Sequence, residues 1–273
     1  MALWDKISSR GKIDDRRGQR MAIGGGGLGI AGIAIYVLFN LLSGGNIDVG
    51  TVLSQLQNTQ VQNQNIDVSK FEGADDYEVF ASTILGSTSD VWTSVFKENG
   101  ATYIPPALVL FRGATQSGCG LSTSEVGPHY CPEDQTIYLD ETFFDELQKR
   151  FKAQGGDVAE AYVISHEVAH HVQNLLGTLN QATDNSGSIK TELQADCFAG
   201  LWAYSIKDKG VFEPNEIREA IDAASAVGDD RIQQSINGRV NPESWTHGSS
   251  ADRVAWFTRG YNTGSVGDCD TFK

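Results

Sequence analysis

His166 and His170 stand four residues apart in Ser165-His166-Glu167-Val168-Ala169-His170-His171. On a helix that spacing projects both imidazoles from one face, where they can share one divalent cation. Glu167, one step round the helix, is placed to take a proton from water held by that cation. The chemistry is metal-assisted hydrolysis. It requires a third protein ligand and one position left open for water. A further histidine on the same helix does not supply it, because Gln173 and Leu176 occupy the positions where Gly and His would be needed. The segment Thr191-Glu192-Leu193-Gln194-Ala195-Asp196 offers two carboxylates four apart instead. We expect Glu192 as the third ligand and Asp196 as acceptor for a ligand imidazole N–H, with the reverse as the alternative. Apolar Leu193, Ala195, Phe198 and Trp202 mark that helix as buried rather than as a solvated acidic face.

The elements that must position these groups follow from periodicity. Residues 157–176 place Val158, Val163, Ile164, Val168, Val172 and Leu175 on one side and predict the helix bearing the histidines. Residues 191–206 predict the helix bearing the carboxylates, ending by Gly210, and 214–227 a third with Pro214 in its first turn. Upstream, 75–97 reads as a helix stopped at Gly100, 143–151 as a short amphipathic helix, and 107–111 and 135–140 as strands. The expectation is one α+β domain over 71–273 with a mainly helical C-terminal half and a small sheet. The strand 135–140 is expected to be an edge able to pair with an extended peptide.

Charge is unevenly distributed. The chain carries −14 overall, yet residues 1–20 hold six basic side chains (Lys6, Arg10, Lys12, Arg16, Arg17, Arg20) against three acidic ones. The rest is too acidic to attract phosphate backbones, which argues against nucleic acid as a partner. No charged residue occurs from Met21 through Ile47. At about 1.5 Å per residue, a helix over 21–42 could cross a hydrocarbon core of roughly 30 Å. A basic flank before it, with no Lys or Arg after it until Lys70, predicts a single-pass membrane protein with residues 1–20 cytoplasmic and the domain periplasmic or extracellular. Residues 43–70 are rich in Gln and Asn and read as a flexible linker.

Four cysteines allow three pairings. We expect Cys119–Cys131 and Cys197–Cys269, in keeping with an oxidising compartment; a free buried Cys197 thiol is the alternative. No C-x-x-C pair is present, so a cysteine zinc site is not expected.

SHEVAHHVQ followed by TELQADCFAGLWA resembles the neutral zinc metallopeptidase family of single-pass bacterial membrane proteins. SGCG (117–120), GPHYCPEDQTIYLD (127–140), GDDRIQ (228–233) and THGSSADRVAWF (246–257) extend the resemblance over roughly 71–272, and Asp15-Arg16-Arg17-Gly18 adds to it. The resemblance implies a zincin-like fold of the gluzincin kind. It implies one Zn2+ per chain held by His166, His170 and Glu192, with Glu167 as catalytic base in peptide hydrolysis. The short connection from His170 to Glu192 departs from the pattern in a loop only. The spacing of His247 and Arg253 is similar to a segment following the zinc site in other gluzincins. It implies His247 as donor to a developing oxyanion, with Arg253 anchoring its loop; the alternative is a capping histidine and a surface arginine. His129 and His171 read as structural, and Asp229, Asp230 and Arg231 as a helix-terminal ion-pair cluster. The competing function is a non-catalytic, zinc-stabilised membrane scaffold or chaperone-like module, against which an intact Glu167 argues.

Overall fold

The computed structural model describes residues 1–18, 75–179 and 182–273. The expected span 21–42 and linker 43–70 lie outside the described residues. Among the described residues no helix is long and apolar enough to cross a membrane.

The fold is mixed α+β and mostly helical. A four-stranded sheet has the order β1 (Ile13–Asp15), β2 (Ala107–Leu110), β6 (Thr136–Leu139), β5 (His129–Cys131). The first three strands run parallel and β5 runs antiparallel to β6. A separate hairpin joins β3 (Ala114–Ser117) to β4 (Gly120–Thr123). The strand expected at 135–140 is therefore interior, paired on both sides, and the edge beside the helices is β5. Alternation in QTIYLD reports burial on one face; it cannot report how many neighbours the backbone pairs with.

Seven α-helices follow in the described residues: α1 (Asp76–Glu98), α2 (Thr142–Phe151), α3 (Asp157–Leu176), α4 (Asn185–Lys207), α5 (Ile217–Ala226), α6 (Asp229–Asn237) and α7 (Ser250–Thr263). The Asp75 carboxylate caps α1 by accepting from the Glu78 amide. Gly177, in the left-handed region, closes α3. α4 begins six residues ahead of the expected 191, because Asp184 caps it through the Gly187 amide. Its first turns contain little apolar surface, so periodicity does not reveal them.

One core runs from the sheet (Leu108, Leu110, Ile137, Leu139) through α3 to Phe198 and Trp202 on α4 and Phe257 on α7. α4 and α7 cross at two glycines. A Cβ on Gly200 would lie 2.1 Å from the Phe257 carbonyl oxygen, and one on Gly260 1.9 Å from that of Cys197. Both expected disulfides are closed. Cys119–Cys131 ties the β3–β4 turn to β5, and Cys197–Cys269 ties α4 to the C-terminal turn. In the chain-entropy picture loops of 12 and 72 residues contribute about 3 and about 4 kcal/mol.

The expected separation of residues 1–20 from a domain starting near 71 needs correction. Residues 1–18 form an arm packed into the body. β1 adds a strand to the sheet beside β2, Ala2 and Ile7 are buried, and Trp4 stacks among Phe80, Trp202 and Phe212. Arg17 is only 1% exposed and pairs with Asp15, Asp75 and Glu141. Six positive charges in a short segment read as a solvated flank, but one of them is the buried hub of an acidic cluster.

Candidate metal centre

α3 and α4 pack against each other, and the histidine face of α3 meets the start of the buried stretch of α4. His166 Nε2 lies 3.2 Å from Glu192 Oε2, and His170 Nε2 lies 3.4 Å from Glu192 Oε1. One ligand atom from each of the three residues falls within 4.8 Å of the others. Among the described residues this is the one cluster of at least three His, Cys, Asp or Glu side chains able to hold a metal.

The outer nitrogens are also held. His166 Nδ1 is 2.9 Å from Asp196 Oδ1, and His170 Nδ1 is 2.8 Å from Gln173 Oε1. A carboxylate or an amide oxygen only accepts, so each Nδ1 donates its proton outward, which leaves each Nε2 facing Glu192 as the atom that would bind a metal. The Gln173 amide is fixed in turn, donating to the Thr191 carbonyl at 2.7 Å and to Gln194 Oε1 at 3.1 Å. Asp196 is completely buried; it accepts from the Tyr162 hydroxyl at 2.5 Å and from Arg253 Nε at 2.8 Å.

The donor set fits a zinc ion: two imidazoles and one carboxylate, oriented from behind. The electrostatics agree. Burial opposes charge on Glu192, yet His170, His166 and His247 hold its carboxyl well below the usual range. Burial likewise opposes charge on Asp196, but Arg253 and His166 outweigh it and keep it ionised. His166 is pushed up, burial notwithstanding, by its hydrogen bonds to Asp196 and Glu192. The two carboxylates thus favour positive charge at His166.

The triad opens on a cleft of about 800 Å3 that Glu167 and His247 also line. Its walls include Val126, Phe143, Val163, Val227 and Ile232. Glu167 is 7% exposed. His247 sits on a loop pinned by Asp229, whose Oδ2 accepts the amides of Thr246, His247 and Gly248 at 2.8, 2.7 and 3.0 Å. Burial raises the Asp229 carboxyl, but the His247 side chain and the amides of His247 and Gly248 bring it below its ordinary value.

Arg253 does not anchor that loop, as the resemblance implied, nor is it a surface residue. It is buried behind the site, where it forks onto Asp196 and reaches Glu192 at 3.7 Å. The loop's anchor is Asp229. Residues 229–231 pair with neighbouring elements rather than with one another: Asp229 faces His247 Nδ1 at 3.3 Å, Arg231 lies 3.9 Å from Asp222 and donates to the Phe151 carbonyl, and Asp230 accepts from the Ser250 amide and hydroxyl. His171 is buried between the Tyr130 hydroxyl and the Ile104 carbonyl, away from the triad. His129 is held by Ser122 and the Gly127 carbonyl at the rim of the cleft. Sequence reasoning missed Tyr162 and Gln173. The available signal was position: Tyr162 lies one turn before His166, and Gln173 three residues after His170.

The chain is 39% identical over 290 residues to "Uncharacterized protein YpfJ" of Escherichia coli K12, covering 98% of each. It is 44% identical over 243 residues to "Uncharacterized protein Rv2575" of Mycobacterium tuberculosis H37Rv, covering 83% of each. No solved structure matches it. Residues 2–272 match the family described as "Putative neutral zinc metallopeptidase", and the match takes in the docked arm as well as the site. The chain belongs to that family.

Proposed function

We propose that the protein is a zinc-dependent peptidase with a zincin-like active site, cleaving peptide bonds within extended substrates. One observation carries the proposal: His166, His170 and Glu192 converge beside Glu167 in a cleft large enough for a peptide. The chemistry that zinc supplies when bound is polarisation of the scissile carbonyl and acidification of water. Glu167 accepts the proton of the attacking water and passes it to the leaving amine. His247 donates a hydrogen bond to oxygen as negative charge develops there. Asp196 and Gln173 hold the two imidazoles, and Arg253 neutralises the carboxylates behind them. The edge strand β5, whose His129 and Tyr130 line the cleft, offers unpaired backbone to an extended peptide. Attachment to a membrane through 21–42 is supported by the absence of charge there, and a location outside the cytoplasm by the two disulfides.

The competing scaffold role has less support, because a purely structural zinc site closes its fourth position and has no use for an acid beside it. The test is Glu167→Gln in the full chain; a piece starting at 71 would lack β1 and Arg17. The variant is expected to bind one zinc per chain and to lose hydrolysis of casein or a quenched peptide, an activity that chelator removes from the parent. Unchanged turnover in the variant would overturn the assignment.

A further inference from the structure

The arm and the body are joined too closely to lie on opposite sides of a membrane. β1 pairs with β2 in register, Ile13 opposite Leu108 and Asp15 opposite Leu110. The ladder continues beyond both strand ends, with the Leu108 amide donating to the Lys12 carbonyl and the Arg16 amide to the Leu110 carbonyl. Paired strands sit about 4.8 Å apart. A hydrocarbon core is roughly 30 Å thick.

The body is shaped to receive the arm. Gly86, in the middle of α1, lies against the arm backbone, and a Cβ there would fall 2.4 Å from the Arg10 nitrogen. Gly11 lies against Leu85 in the same way, 2.5 Å from its Cγ. The Gly11 amide donates to the Ser82 carbonyl, and the Ser82 hydroxyl donates back to the Gly11 carbonyl. At the arm's start, the Ala2 amide and Trp4 Nε1 both donate to Asp157 Oδ2, at the first turn of the helix that carries the histidines. At its end, Arg17 bonds Asp75 at 2.9 Å, so the two points between which residues 18–74 run are adjacent.

We propose that residues 1–18 and 75–273 occupy one compartment, and that the uncharged stretch 21–42 does not divide them. A chain that crossed once within 21–42 would have only the polar, Gln/Asn-rich 43–70 with which to return. The inference does not depend on the peptidase reading. It revises the topology that charge flanks alone suggest, since the basic arm is a structural strand whose charges are partly spent within the fold.

Thiol accessibility in intact cells tests it. All four native cysteines are paired, so one introduced cysteine is the sole free thiol. Lys12→Cys reports the arm and Lys97→Cys the body; both positions are exposed. A membrane-impermeant maleimide is expected to label both variants in the full chain, or neither. Labelling of one and protection of the other would overturn the proposal. Docking itself is read on purified full chain by trypsin. Cleavage after Arg10 and Arg17 is expected to be at least about tenfold slower in the parent than in Gly86→Val, whose new side chain collides with the arm. Equal cleavage of parent and variant, with the body intact, would remove its structural basis.

Discussion

Gln173 has no charge and touches no metal, yet it determines which nitrogen of His170 carries the proton. Its oxygen takes the Nδ1 hydrogen because its nitrogen is already committed to Thr191 and Gln194. Gln173→Leu frees the ring to rotate or to change tautomer. Zinc affinity is expected to fall about 10- to 100-fold, measured by competition with a chromogenic chelator. Asp229 works on the opposite wall by fixing three successive amides. Asp229→Ala is expected to keep one zinc per chain while kcat for peptide hydrolysis falls about 10²-fold, the scale of losing one oxyanion donor. A matching loss of zinc in that variant would show that the loop supports the ligands rather than His247.

At the scale of elements, two helices bring in the third ligand and the buried ion pair that α3 lacks. α4 carries Glu192 and Asp196, α7 carries Arg253, and their separation is set by Gly200 against Gly260. Gly260→Val forces the backbones apart and moves Arg253 relative to Asp196. The change is expected to cost about 3 kcal/mol or more, overpacking compounded by a strained buried ion pair. A lowered midpoint in urea together with weakened zinc binding would register it, whereas a fall in stability alone would uncouple the crossing from the site. The sequence made α3 and its histidines legible because a four-residue spacing and an apolar stripe coincide there. Glu192 and Asp196 were readable for the same reason. The start of α4, all of α6 and α7, and the β3–β4 hairpin were not, since each is fixed by caps, glycine contacts or a disulfide rather than by apolar periodicity. β1 was hidden for a further reason: its partner lies about 95 residues away in sequence, and its charges pointed to solvent.

Across the whole molecule, the docked arm closes a region crowded with acids at the N-terminal end of α3. Glu160, on that helix, is pushed up to about 7, first by burial and then by the charges of Asp157, Glu141 and Asp145, with the Tyr77 hydroxyl easing the shift. Its ordinary value is 4.5. The native state therefore holds this proton more tightly than the unfolded chain does. Below about pH 4.5 both states are protonated and the site contributes nothing to the pH dependence. Between about 4.5 and 7 the unfolded chain ionises first, and stability falls as pH rises. Above 7 the penalty is complete, roughly 3 to 4 kcal/mol at most at about 1.4 kcal/mol per pKa unit. Arg17, which pairs with Glu141 from the arm, offsets part of the acidic field. Glu160→Gln removes the titrating group while keeping its shape. The variant is expected to gain stability over the parent at pH 8 and little or none at pH 4.5, in urea titrations of the full chain at each pH. A gain of equal size at both pH values would assign the effect to packing rather than to the proton.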